Sequence, residues 1–368
     1  MPILNRPLRV MHIISGDLWA GAEVQAFTLL SHLHAAVQLH VIVMNHGELA
    51  QRLQGLNIPV TLVLESHHNG LGIIREIVRR IRSFKPDVLH THRQKENILS
   101  SIANCIAMPL TGKYTKSLRT SHGAPEFIPT GKQRIQVWLD NWTGRHLQHA
   151  IIAVSQELAS KLVKIFPEKK IHVIRNGVDS ASLLAQAREA DFRINAPGHQ
   201  HIAIVGRIEP VKRIDIFLDM ASILMKHLAA SQALRFHIIG DGKLRATMER
   251  KVQQLGLTEH IYFHGHRQDM ASCIKSLDVM VMCSDHEGTP MSALEAMALG
   301  TPLVAHDTGG LTDILQDYPR LLVANHSPEG YAEQVSKLLL ANKISINLSE
   351  KYTAQRNFID TLDLYRNL

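Results

Sequence analysis

Short apolar runs recur along the whole chain, separated by longer stretches whose apolar residues return every three or four positions. The runs are too short for helices and do not alternate strictly with polar residues, so they read as strands buried on both faces. In the first half they are Leu8–Ile14, His40–Met44, Val60–Leu64, Val88–His90, Ser117–Thr120, Ile151–Val154 and Ile171–Ile174. Ala22–His34, Ile73–Phe84 and Gln156–Ile165 carry helical spacing between them. The second half restarts with Ile202–Val205, then Arg235–Ile239, Ile261–His264, Val279–Met282, Leu303–Ala305 and Leu321–Val323. Strands alternating with helices predict parallel sheets covered on both faces. The break between the two series is an Ala- and Gln-rich stretch after Asn176-Gly-Val-Asp179 that ends in Asn195-Ala-Pro-Gly198, and it reads as a linker. Leu348–Leu368 is helical, with Tyr352, Phe358, Ile359, Leu362, Leu364 and Tyr365 apolar.

At 368 residues one core is too few. The pattern predicts two doubly wound, Rossmann-like α/β domains, residues 1–180 and 181–350, followed by a terminal helix, 351–368. Ligands of such sheets sit beyond the carboxyl ends of the strands, and two of them are expected to face a common cleft. No apolar run reaches the ~20 residues that span a bilayer, and the start carries no secretory pattern, which predicts a cytoplasmic protein. Three scattered cysteines, Cys105, Cys273 and Cys283, read as buried thiols, and no zinc-type spacing is present. The net charge of +7 is uneven: residues 1–180 hold 21 Lys and Arg against 12 Asp and Glu, residues 181–368 hold 19 against 21. A basic first half suits an anionic membrane face, a phospholipid carrier or an acidic glycan, though solubility alone accounts for many such surfaces. Nucleic acid is not expected, since no binding module is visible and aromatics are only 5%.

The chemistry concentrates in Glu287-Gly-Thr-Pro-Met-Ser-Ala-Leu-Glu295, which continues Ala296-Met-Ala-Leu-Gly300-Thr-Pro. Val279–Met282 before it is a strand; Gly288 and Pro290 break the chain, and Ser292–Leu299 is a helix stopped at Gly300. The free amides of that helix start form an anion site between two carboxylates. Carboxylates repel phosphate but accept hydrogen bonds from hydroxyls. The matching ligand has phosphate in the middle and hydroxyls at both ends, as a nucleoside diphosphate sugar does, with its sugar near Glu287 and its ribose near Glu295.

The segment resembles the Glu-x7-Glu signature of retaining glycosyltransferases of family 4. That resemblance implies two Rossmann-like domains in the arrangement called GT-B, with the last helix crossing back to the first domain. Gly206-Arg207, followed by Lys212, resembles the family element in which Arg and Lys bind the donor diphosphate, a fork and a point charge respectively. Gly16-Asp-Leu-Trp-Ala-Gly21-Ala-Glu23 is similar to its Gly-Gly-Ala-Glu loop, with Ala20 in place of the first paired glycine. In Arg119-Thr-Ser-His122-Gly123 the histidine is implied to contact the donor sugar, and His92 falls at a neighbouring strand end on the acceptor side. Gly240, in Gly240-Asp241-Gly242, is expected to shape the nucleotide pocket, with Arg267 near the base and Gly288, Thr289, Pro290, Met291 and Ser292 around the phosphates.

The implied reaction moves a hexose-type sugar, with retention, from a nucleotide diphosphate sugar (a UDP-sugar being the expectation) to a hydroxyl of a glycan or lipid-linked acceptor. Cell-envelope polysaccharide or glycolipid synthesis is the expected setting, with peripheral contact at the inner membrane face. His122, Arg207, Lys212 and Glu287 are the candidate catalytic residues. No cofactor is expected and no metal is required, because Arg207 and Lys212 supply the charge that a metal supplies in Asp-x-Asp enzymes. A nucleotide-sugar epimerase of the same architecture is the alternative. It would need acid and base groups at the reacting carbon and no acceptor.

Overall fold

The computed structural model describes residues 6–123, 130–228, 233–341 and 344–368. The chain divides into two compact units, Met1–Gly177 with Ala354–Leu368, and Val178–Thr353.

The first unit is built on seven strands: β1 Arg9–Ile14, β2 Gln38–Val43, β3 Val60–Leu62, β4 Val88–Thr91, β5 Lys116–Ser121, β6 Ala150–Ala153 and β7 Ile171–Val173. They pair in parallel in the order β3-β2-β1-β4-β5-β6-β7. Side chains on β1 divide between two cores, Val10 and Ile14 on one face, Met11 and Ile13 on the other. A strand buried on both sides has no need of polar alternation, which is why it reads as a continuous apolar run. The helices Gly21–Leu33 and Ala354–Asn367 cover the Val10 face through Leu29, Leu30, Leu33, Leu362 and Tyr365. The terminal segment is thus part of the first unit, and its helix begins at Ala354 after a single turn at Glu350–Tyr352.

The second unit carries β8 Gln200–Val205, β9 Leu234–Ile239, β10 Ile261–Gly265, β11 Val279–Met282, β12 Leu303–His306 and β13 Leu322–Val323. Their order, β10-β9-β8-β11-β12-β13, repeats the doubly wound plan, again with parallel pairing. The core centres on Phe217, Phe236 and Tyr331, all fully buried.

Two expectations are corrected. The stretch read as a linker folds onto the second unit as helices Ser180–Gln186 and Asp191–Ile194. The Ala190 amide donates to Ser276 Oγ at 2.8 Å, Arg193 pairs with Asp278 at 2.7 Å, and the Phe192 ring stacks 4.3 Å from His237. Its low hydrophobicity was misleading because one buried aromatic and a few polar ties anchor so short a segment. Cys273 and Cys283 are buried, but Cys105 is only partly covered.

Candidate active site

In the second unit the chain leaves β11 into a loop holding Glu287 and enters the helix Met291–Leu299, which holds Glu295 in its second turn. Pro290 is extended at the N-cap and supplies no side-chain cap. The first-turn amides of Met291 and Ser292 therefore point out of the helix with the positive end of its dipole. The loop is clamped from behind. The Gly310 amide donates to the Glu287 carbonyl at 3.0 Å, and a Cβ on Gly310 would stand 1.6 Å from the Gly288 oxygen. Only glycine lets the two backbones meet there. Thr289, Pro290 and Met291 are buried behind the turn, while Gly288 and Ser292 are partly exposed.

Glu287 and Lys212 meet. Lys212 Nζ donates to Glu287 Oε1 at 2.5 Å, and Ser284 Oγ donates to the same oxygen at 2.6 Å. An ammonium has three protons, so Lys212 keeps two for a ligand, and Glu287 keeps Oε2 to accept from one. Neighbouring Arg213 is held by Asp215 at 2.9 Å and Asp285 at 3.1 Å, which fixes the turn that carries Lys212. Arg207 is exposed, and among the described residues no side chain pairs with its guanidinium. Gly206 and Gly240 close the adjacent strand ends at φ +147° and +140°, and a Cβ on Gly240 would lie 2.0 Å from the Gly206 oxygen. Glu295 has no hydrogen-bond partner among the described residues, and burial pushes its carboxyl up to about 7. Arg267, by contrast, is already matched by Asp269 at 2.7 Å and Asp191 at 3.1 Å.

In the first unit, Gly16 is buried at φ +67°, where a Cβ would press on Val43 at 2.6 Å; it serves packing of the loop. Gly21 opens the helix Gly21–Leu33, whose N-cap, Ala20, provides no side-chain cap. Arg93 bridges this loop, donating to Asp17 at 2.7 Å and to the buried Glu23. His92 and His122 follow β4 and β5 and touch, Nδ1 of the first lying 3.3 Å from Nε2 of the second. A cavity of about 10 Å³ beside them is lined by Thr120, Asn176 and Asn357, among others, at the lower limit for one water. His12, His90 and His92 each bring a ring nitrogen within 4.8 Å of the others. The Tyr365 hydroxyl lies between two of them, 2.5 Å from His90 Nδ1 and 3.0 Å from His12 Nε2.

The structure thus gathers Gly206, Lys212, Gly240, Glu287 and the Met291 helix start in one unit, and His92 with His122 in the other. Sequence reasoning missed Ser284, Gly310, His12, His90 and Tyr365. The Gly309-Gly310 pair opening the helix Gly309–Ile314 was a usable signal for one of them; the histidines gave none, since they are joined only by tertiary packing.

A doubly wound second unit with an uncapped helix start beyond β11 presents an anion-binding feature at the carboxyl end of its sheet. Residues 19–182 match the family described as Glycosyltransferase Family 4, and residues 187–355 match Glycosyl transferases group 1. The chain belongs to these GT-B glycosyltransferases of the family 4 type. It is 23% identical to a UDP-Gal:alpha-D-GlcNAc-diphosphoundecaprenol alpha-1,3-galactosyltransferase of Escherichia coli, over 100% of this chain and 98% of that one. With a poly(ribitol-phosphate) alpha-N-acetylglucosaminyltransferase of Staphylococcus aureus it shares 28% over 47% of this chain but only 37% of the relative's length. The crystal structure of Anabaena HepE with UDP and glucose superposes with a TM-score of 0.81 at 17% identity, over 98% of this chain and 100% of that one.

Proposed function

We propose that the protein is a retaining glycosyltransferase that moves a hexose from a UDP-sugar to a hydroxyl of a glycan or lipid-linked acceptor in cell-envelope synthesis. One observation carries the reading. An uncapped helix start, an unmatched guanidinium at Arg207 and an unpartnered carboxylate at Glu295 stand in one unit, each lacking the counterpart a nucleoside diphosphate sugar supplies. The diphosphate takes the amides of Met291 and Ser292, the fork of Arg207 and the spare protons of Lys212; ribose hydroxyls take Glu295, and sugar hydroxyls take Glu287 Oε2. As the bond to the anomeric carbon breaks, charge grows on the departing diphosphate, and the cations and helix start stabilise it without a metal. Its oxygen accepts the acceptor's proton on the face it leaves, which accounts for retention without an enzymic nucleophile. Names of relatives acting on lipid-linked and polymeric envelope acceptors support the acceptor class.

The acceptor class favours reversible contact of the first unit with an anionic membrane face. The helix Lys132–His146 exposes Ile135, Trp138 and Trp142 together with Lys132, Arg134 and Arg145, apolar rings and cations that suit a headgroup layer. Among the described residues no helix is long and apolar enough to cross a membrane.

The test is UDP release from UDP-glucose, UDP-galactose and UDP-GlcNAc, with and without a GlcNAc-diphosphate lipid acceptor, and NMR of the product's anomeric proton. Acceptor-dependent release with an α-linked product is expected. Acceptor-independent conversion of the donor to an epimeric UDP-sugar, without net UDP release, would instead indicate an epimerase.

A further inference from the structure

Six side chains of the first unit form one hydrogen-bonded line. Thr120 Oγ1 lies 2.7 Å from His90 Nε2, and His90 Nδ1 lies 2.5 Å from the Tyr365 hydroxyl. Tyr365 lies 3.0 Å from His12 Nε2, His12 Nδ1 lies 3.1 Å from His92 Nε2, and His92 Nδ1 lies 3.3 Å from His122 Nε2. His12, His90 and Thr120 point to the same face of adjacent strands, under the helix Ala354–Asn367 that carries Tyr365. His12 and His90 are fully buried, and Tyr365 and His92 nearly so.

Burial lowers His12 to about 3 and His122 to about 4, holds His90 and His92 well below the usual imidazole value, and raises Tyr365, so every member is neutral near pH 7. A neutral imidazole has one N–H and one bare nitrogen. Each ring in the line must therefore accept on one side and donate on the other, and the whole line runs in a single direction. Running toward Thr120, it leaves two groups unmet, the Thr120 hydroxyl proton at one end and the bare His122 Nδ1 at the other, and no described residue meets either. Running toward His122, every link is made and one N–H remains, at His122 Nδ1. That nitrogen is buried and has no partner among the described residues. The Tyr365 hydroxyl already engages His90 Nδ1 and His12 Nε2.

We infer that Thr120, His90, Tyr365, His12 and His92 are positioning residues that hold His122 as the Nδ1–H tautomer, so that it offers a hydrogen-bond donor to an oxygen of the substrate. The tautomer follows from this chain alone; its use rests on the glycosyl-transfer reading above. Sequence spacing gave no hint of it, because the members come from β1, β4, β5 and the far end of the chain.

The test is nitrogen-15 NMR of the histidine-labelled full-length protein, with His122→Asn to assign the ring. Wild type is expected to show His122 protonated at Nδ1. Tyr365→Phe, which cuts the line with little change of volume, and Thr120→Val, which removes its donor end, are expected to turn His122 into a mixture of tautomers. In both variants turnover of UDP-glucose with acceptor is expected to fall about 10–100-fold, with KM for UDP-glucose changed less than about twofold. Thermal unfolding of each variant separates lost direction from lost fold, since Thr120→Val removes no buried volume. A wild-type ring protonated at Nε2, or a tautomer unmoved in both variants, overturns the inference. A correct tautomer in a protein that turns over no sugar nucleotide overturns only the glycosyl-transfer reading.

Discussion

Glu295→Gln offers a quantitative probe of the donor site, because its sign reverses the usual expectation for a carboxylate. Burial raises the Glu295 carboxyl from 4.5 to about 7, with no partner to offset it. A carboxyl raised on folding binds its proton more tightly in the folded state. Below about pH 4.5 the group costs nothing; between there and pH 7 stability falls as pH rises, and above pH 7 the full penalty is present. At about 1.36 kcal/mol per pH unit, the penalty is at most about 3.4 kcal/mol. Glutamine keeps the shape and removes the charge. At pH 8 the free Glu295→Gln protein should melt higher by up to about 7–14 °C, at about 2–4 °C per kcal/mol for a unit of this size. At pH 5 the difference should shrink to about 2–3 °C. UDP should show the opposite preference, since ribose hydroxyls donating to the carboxylate favour its charged form. Calorimetric UDP affinity should rise with pH toward 7 more steeply in the parent than in the variant, and be weaker in the variant at pH 8. Equal melting differences at the two pH values would mean that Glu295 is solvated, and identical UDP binding would remove the ribose assignment.

Arg207→Ala should lower kcat/KM by about 2.7–4 kcal/mol of transition-state stabilisation, the range for losing one electrostatic donor, and turnover within a few-fold of the parent would place the diphosphate elsewhere. Gly310→Ala forces the Gly288 backbone to move, so UDP affinity measured by calorimetry should drop at least tenfold with little change in the first unit; unchanged affinity would show that the loop's clamp is dispensable. Excess EDTA should leave initial rates of UDP release unchanged, and a loss reversed by magnesium or manganese would contradict the metal-free scheme. Sedimentation with anionic vesicles should capture the protein at low salt and release it at high salt, at about 1 kcal/mol per basic side chain, whereas equal negligible pelleting would leave the exposed Trp138 without that role.

The architecture was legible because a parallel sheet buried on both faces writes itself as uninterrupted apolar runs; Val279–Met282 coincides with β11 residue for residue. The position of Glu287 beyond that strand and of Glu295 inside the next helix followed from Gly288, Pro290 and Gly300, residues whose backbone preferences punctuate locally. What escaped depends on partners distant in the chain. Gly310, in the first turn of the helix Gly309–Ile314, acts on Gly288 in a different segment, and His12 meets Tyr365 across 353 positions. Histidine abundance hid the pattern further: the second unit holds another line, His201 to His237 to His264, with links of 2.9 and 2.8 Å. Ser180–Gln186 escaped for the opposite reason, its weak hydrophobic signal being shared by packed short helices and true linkers alike.

The helix Ala354–Asn367 completes the first unit, yet it is encoded after the whole of the second. Synthesis of Val178–Thr353 at about 5–20 residues per second occupies roughly 10–35 s. Throughout that interval the emerging first unit has the Val10 face of its sheet without the cover of Leu362 and Tyr365, and His12 and His90 have no hydroxyl between them. The second unit, whose residues are contiguous, can close first. The first unit therefore reaches its final packing only after the second has been made, and until then part of the Val10 face waits for its last helix.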